Sequence, residues 1–88
     1  MAVVKKKIIV KNAQGLHARP AALFVQVANK FDSRITIWRD EEEVNGKSIM
    51  GILMLGAEKG SSITIEADGE DAELAITELE KVVTNEEE

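Results

Sequence analysis

The sequence predicts an α+β fold, a two-layer sandwich whose helices lie on one face of a sheet. Three observations lead there. Segments of strand and helix periodicity alternate in the order β-α-β-β-(short α)-β-α. The second and third strands are separated only by a polar turn, which makes them a hairpin. Each long helix carries one apolar stripe and so needs one covered face. The 88 residues fit one domain, 1–88, with no internal repeat and no linker.

The elements follow in chain order. Val3 to Val10 reads as a strand: Val4, Ile8 and Val10 share one face, with Lys6 as the exception. Asn12-Ala13-Gln14-Gly15 is a loop. From Ala18 to about Asn29 the period is helical. Phe24, Val27, Ala28 and Phe31 recur at three- and four-residue steps, with Gln26, Asn29 and Lys30 on the wet side. Asp32-Ser33 is a turn. Arg34 to Arg39 is a strand with Ile35 and Ile37 on one face, Thr36 and Trp38 on the other. Asp40-Glu41-Glu42 turns the chain into a short return strand, Glu43 to Asn45. Gly46-Lys47-Ser48 leads into the apolar run Ile49 to Leu55, a short helix. Ser62 to Asp68 alternates most cleanly, Ile63, Ile65 and Ala67 against Thr64, Glu66 and Asp68, and Gly69 closes it. Glu70 to Thr84 is a helix with Ala72, Ile76, Leu79 and Val83 on one stripe. Its acidic start (Glu70, Asp71, Glu73) suits a positive helix N-terminus. Asn85 to Glu88 reads as a frayed tail.

Composition removes several function classes. There is one His, one Trp, one Pro, no Cys and no Tyr. A disulfide, a His/Cys metal site and a Cys nucleophile are therefore excluded, and absence of cysteine points to a cytoplasmic protein. Eleven Lys+Arg stand against 16 Asp+Glu, a net charge of -5, the opposite of a nucleic-acid binder. The N-terminus lacks the apolar core of a signal peptide. The longest unbroken apolar stretch is Ala21 to Val25, too short for a membrane span.

Chemistry concentrates in Gly15-Leu16-His17-Ala18-Arg19-Pro20-Ala21. Gly15 permits a sharp turn before the helix. His17 falls at the loop–helix junction, near the N-cap. Pro20 lies in the first turn, where its missing N–H breaks no helical bond. A helix N-terminus presents unpaired N–H groups to an anion, and Arg19 adds forked donors suited to phosphate oxygens. A neutral imidazole in that setting can attack phosphorus. A lone histidine at a helix start is also often just an exposed, neutral residue, and local sequence leaves both readings open.

A second stretch is Lys47-Ser48-Ile49-Met50-Gly51. Ser48 fits an N-cap, which can be its whole role. It also fits a phosphorylation site whose phosphate would meet a helix N-terminus. The run Ile49, Met50, Ile52, Leu53 and Met54 is more apolar surface than one face of so short a helix can bury. Part of it is expected to stay exposed for docking, with Ile49, Met50 and Leu53 as the candidates.

Other matches fail. Gly46-Lys47-Ser48 ends like a P-loop, but the first glycine of that motif would fall on Glu41. Gly51 and Gly56 have its glycine spacing, yet Ala57-Glu58 follow. The run Asp40 to Glu43 lacks the glycine and alternating ligands of a calcium loop. Lys5-Lys6-Lys7 lies on a strand whose side chains point alternately apart, so it is no nucleic-acid stripe.

Over essentially its whole length the chain resembles the HPr family, the histidine-containing phosphocarriers of the bacterial phosphoenolpyruvate-dependent sugar phosphotransferase system. Gly15 to Ala21 resembles the family's phosphohistidine motif, and Lys47 to Gly51 its regulatory serine motif. The resemblance implies an open-faced sandwich, a four-stranded antiparallel sheet of order 1-4-2-3 under three helices. It implies that His17 accepts a phosphoryl group at Nδ1 from phospho-enzyme I and passes it to an enzyme IIA domain, with Arg19 steadying it. It implies a stoichiometric, monomeric carrier with no cofactor, rather than an enzyme. It further implies that Ser48 is modified by an HPr kinase/phosphorylase, which impairs docking to enzyme I and, in Gram-positive relatives, recruits a catabolite control protein. Gln14 and the glycine-free turn Asp40-Glu41 depart from the family pattern, away from the central chemistry.

Three alternatives compete with a sugar-system carrier. A carrier of a nitrogen-related regulatory phosphotransfer branch would share the chemistry, but the serine motif favours the sugar branch. A purely regulatory module would work through Ser48 and the apolar patch alone; family members so specialised have lost the histidine that is present here. A hydrolase is disfavoured, because no second acid or base lies near His17 and so small a sandwich has little room for a deep pocket.

Overall fold

The computed structural model describes residues 2–88. Its elements are β1 (Ala2–Ile9), α1 (Ala18–Ala28), β2 (Arg34–Arg39), β3 (Glu42–Asn45), α2 (Ile49–Met54), β4 (Ser62–Gly69) and α3 (Ala72–Val83). The strands form one antiparallel sheet in the order β1-β4-β2-β3. This is the topology the resemblance implies, with the three helices on one face.

Register explains why one face is dry. Ile63 of β4 lies opposite Ile8, Ile65 opposite both Lys6 and Ile37, and Ala67 opposite both Val4 and Ile35. Period-two alternation therefore sends all these side chains to one side. Ile8, Ile35, Ile37, Ile63, Ile65 and Ala67 are all buried. Phe24 of α1 and Ala72, Ala75, Ile76, Leu79 and Val83 of α3 cover them. Phe24 is completely buried, and a side chain of that size removed from a core costs about 3–5 kcal/mol.

Lys6 shares the covered side of β1 yet is exposed. Because β1 is an edge strand, its side chain reaches the rim, where Nζ donates to Glu80 Oε1 of α3 at 2.7 Å. The opposite, open face carries Trp38. Its Nε1–H donates to Glu66 Oε1 at 3.2 Å, and Lys5 Nζ lies 5.7 Å from the ring centroid.

Several sequence expectations need correction. The first strand runs Ala2–Ile9, one residue earlier at each end than the alternation indicated. The hairpin turn is Asp40–Glu41 and Glu42 already belongs to β3. With no glycine in this turn, Asp40 itself takes the left-handed conformation, φ 54°. Asp is among the few residues that tolerate it. The last helix begins at Ala72, not Glu70, with Asp71 at the N-cap. Only Glu73 remains in its acidic first turn. The Asp71 carboxylate does not cap α3. It accepts from Ser33 Oγ and from the backbone N–H groups of Asp32 and Ser33, the latter two at 2.8 and 3.0 Å. Those donors, Ser33 Oγ first, hold its carboxyl below the ordinary aspartate value. Asp71 thus ties the α1–β2 turn to the start of α3.

Candidate functional site

The loop between β1 and α1 is shaped by its own backbone bonds. Gly15 N–H donates to Asn12 O at 3.0 Å and His17 N–H to Gly15 O at 2.9 Å. Leu16 N–H reaches across to Ala57 O at 2.9 Å, and the Leu16 side chain is buried. Gly15 adopts φ 74°, and a Cβ there would lie 2.5 Å from Ala57 O. Only glycine serves both demands. The chain then enters α1 with His17 as N-cap, in extended conformation, its side chain making no capping bond. The imidazole is therefore not spent on the helix. Ala18 and Arg19 occupy the first turn, where N–H groups have no helical acceptor, and Pro20 follows without an N–H. The Arg19 side chain is 73% exposed.

The C-terminal residues are not frayed. Asn12 is completely buried, and its Nδ2 donates to Val82 O and Asn85 O, each at 2.9 Å. Lys11 N–H donates to Val83 O at 3.0 Å. The chain then turns on Asn85: its Oδ1 accepts from Glu87 N–H at 3.0 Å and its main-chain oxygen from Glu88 N–H at 3.3 Å. This brings the main-chain oxygen of Glu88 to 2.9 Å from His17 Nε2. Its Oε1 lies 3.9 Å from Arg19 Nε.

Helix α2 packs against α1. Ser48 is its N-cap, with Oγ accepting from Gly51 N–H at 3.1 Å. At the other end Arg39 Nη1 donates to Leu55 O and Gly56 O at 2.7 and 2.9 Å, a cation on carbonyls left free by the last turn. Among the described residues, no cluster of three or more His, Asp or Glu could hold a metal ion, and no helix is long and apolar enough to cross a membrane.

Comparison with known proteins decides what this arrangement belongs to. The family described as "PTS HPr component phosphorylation site" matches residues 4–85. The chain belongs to the HPr family. It is 43% identical to the phosphocarrier protein HPr of Treponema pallidum (strain Nichols) over 94% of each chain. The crystal structure of HPr from Bacillus anthracis str. Ames superposes with a TM-score of 0.89 at 51% identity, covering 94% of this chain and 99% of that one. Crh of Bacillus subtilis, described as a catabolite repression protein and as a swapped-domain dimer, superposes with a TM-score of 0.76 at 44% identity, covering 94% and 95%.

His17 and Arg19 stand together at the start of α1, and Ser48 starts the neighbouring α2. Of the expected docking residues, Ile49 and Met50 are 41% and 67% exposed, whereas Leu53 is half-buried against the core. Met54, not among them, is the most exposed at 74%. The helix winds so that Ile52 points inward and Met54 outward, an outcome that a continuous apolar run does not specify. Asn12 and Glu88 were also missed. Their partners lie about seventy residues away in sequence, and no local motif marks them.

Proposed function

We propose that this HPr-family chain carries a phosphoryl group on His17, taken from phospho-enzyme I and given to an enzyme IIA domain. The observation that supports it is the setting of His17: an N-cap imidazole free of capping duty, beside first-turn N–H groups and the exposed Arg19. In the forward step the Nδ1 lone pair forms a bond to phosphorus. The donor's bond to phosphorus breaks, and its electron pair leaves with the donor. First-turn N–H groups and the Arg19 guanidinium then hold the phosphoryl oxygens. The second transfer reverses the same motions toward enzyme IIA. Charge in the transition state is shared with the partner's residues, because a carrier needs an open site that two proteins cover in turn.

Docking uses the surface beside His17: Ile49, Met50 and Met54, with Leu53 half-buried beneath. Ser48 is the regulatory site. A phosphate on its Oγ, placed by an HPr kinase/phosphorylase, sets about 1.5 to 2 negative charges beside that patch and weakens binding of enzyme I, and a catabolite control protein reads the modified form. The carrier acts as a cytoplasmic monomer.

The test is labelling with phosphoenolpyruvate and enzyme I. The native chain takes up an acid-labile, alkali-stable phosphate, and His17→Ala takes up none. Equal labelling of His17→Ala refutes the reading.

A further inference from the structure

The chain has three methionines and no cysteine. Among the described residues, Met50 and Met54 therefore hold the only sulfur atoms; the third methionine is Met1. Met50 and Met54 lie four residues apart on α2, so one face of the helix presents both. They are 67% and 74% exposed, while Ile52 and Leu55 are buried. Other groups anchor the helix: Ile52 in the core, Ser48 Oγ at its start, and Arg39 on the main-chain oxygens at its end. Neither sulfur is needed to hold α2 in place. A thioether reacts without losing a proton, so an exposed one is open to peroxide at neutral pH. The product, a sulfoxide, is polar and accepts hydrogen bonds. Water satisfies it in the free chain. Under a partner that covers an apolar face, it loses that water and meets no donor.

We propose that Met50 and Met54 form a paired, reversible oxidation site whose sulfoxides weaken docking of enzyme I. This rests on the reading of α2 as a docking surface. In each step a sulfur lone pair attacks one oxygen of hydrogen peroxide. The S–O bond forms, the O–O bond breaks, and the other oxygen leaves as water. Sulfur is oxidised and the peroxide is reduced. A methionine sulfoxide reductase reverses the step with a dithiol: the oxygen leaves as water and the dithiol becomes a disulfide. The added group is neutral. It acts by desolvation rather than by charge, unlike a phosphate on Ser48, and salt does not screen it.

The test uses the full chain, treated with hydrogen peroxide and freed of it by catalase. The chain is then offered to untreated enzyme I with phosphoenolpyruvate. Peptide mass mapping should find an added oxygen on Met50 and on Met54. The urea midpoint should not move, because both side chains face solvent. The KM for phosphorylation by enzyme I should rise about tenfold, the effect of a buried polar group left without a partner. Methionine sulfoxide reductases for both epimers, with dithiothreitol, should restore it. Met50→Leu combined with Met54→Leu keeps an apolar face and Met1 but cannot be oxidised on α2. Its KM, whatever the starting value, should be the same before and after peroxide. Failure of Met50 and Met54 to oxidise overturns the site. So does an equal rise in the leucine variant, or a urea midpoint that falls as KM rises. An unchanged KM in the sulfoxide form overturns the proposal alone when Met50→Asp with Met54→Asp raises KM. If that variant also leaves KM unchanged, the docking reading falls with it.

Discussion

Replacing Gly15 by alanine tests how the fold positions its site. Gly15 sits at φ 74°, where a side chain costs about 1–2 kcal/mol. The new Cβ would also lie 2.5 Å from Ala57 O and 2.9 Å from Glu58 Cα. Both are main-chain atoms, so no rotamer change relieves the contact. Moving Ala57 O weakens its bond from Leu16 N–H, worth about 1 kcal/mol. Together these give a loss of about 2–4 kcal/mol, a large share of the 5–15 kcal/mol typical of a domain. Urea denaturation measures it directly: at about 1 kcal/mol per M, the midpoint falls by about 2 M or more. Gly60→Ala is the control. Gly60 has φ 92° but open space around it, so its variant bears only the conformational cost. A loss of less than about 0.5 kcal/mol in Gly15→Ala, the range of an ordinary surface change, or no more than in Gly60→Ala, refutes this role for Gly15.

Other perturbations give further outcomes. Asp71 has a lowered folded-state pKa, so the unfolded chain binds more protons near the ordinary value of 3.8. Its contribution is complete above that value and is lost as pH falls through the lower folded one. Acid titration of stability should therefore show native and Asp71→Asn converging at the acid end and separating above it, with native the more stable. Ser48→Ala removes the α2 N-cap and should lower stability by about 0.5–2 kcal/mol in urea while leaving His17 labelling intact. Met50→Asp combined with Met54→Asp should leave the urea midpoint within about 0.5 kcal/mol of native, since both side chains face solvent, yet raise the KM for phosphorylation by enzyme I.

The sheet was legible because its signal is local. Ile63, Ile65 and Ala67 alternate with polar neighbours, and that alternation alone sends them to one face. The strand order was not in that signal, since period two does not say which strand lies beside which; resemblance supplied it. His17, Arg19 and Ser48 were legible because caps, glycine turns and helix starts have short-range signatures. Asp71 misled for the same reason. A carboxylate in an acidic first turn reads as a partner of the positive helix N-terminus, but Ser33 and Asp32, brought close only by folding, take it instead. Likewise Asn85 to Glu88 has the composition of a solvated tail. The donor that orders it is Asn12, at the other end of the chain, and a polar loop residue gives no hint that it is buried.

Transfer through this chain depends on His17 holding the phosphoryl group on Nδ1. The most direct measurement is 31P and 15N NMR of the chain phosphorylated by enzyme I and phosphoenolpyruvate, with the ring nitrogens of His17 labelled. One phosphorus coupled to Nδ1 of His17 is expected, with no phosphate on Ser48. Phosphorus on Nε2, or on any residue other than His17, contradicts it.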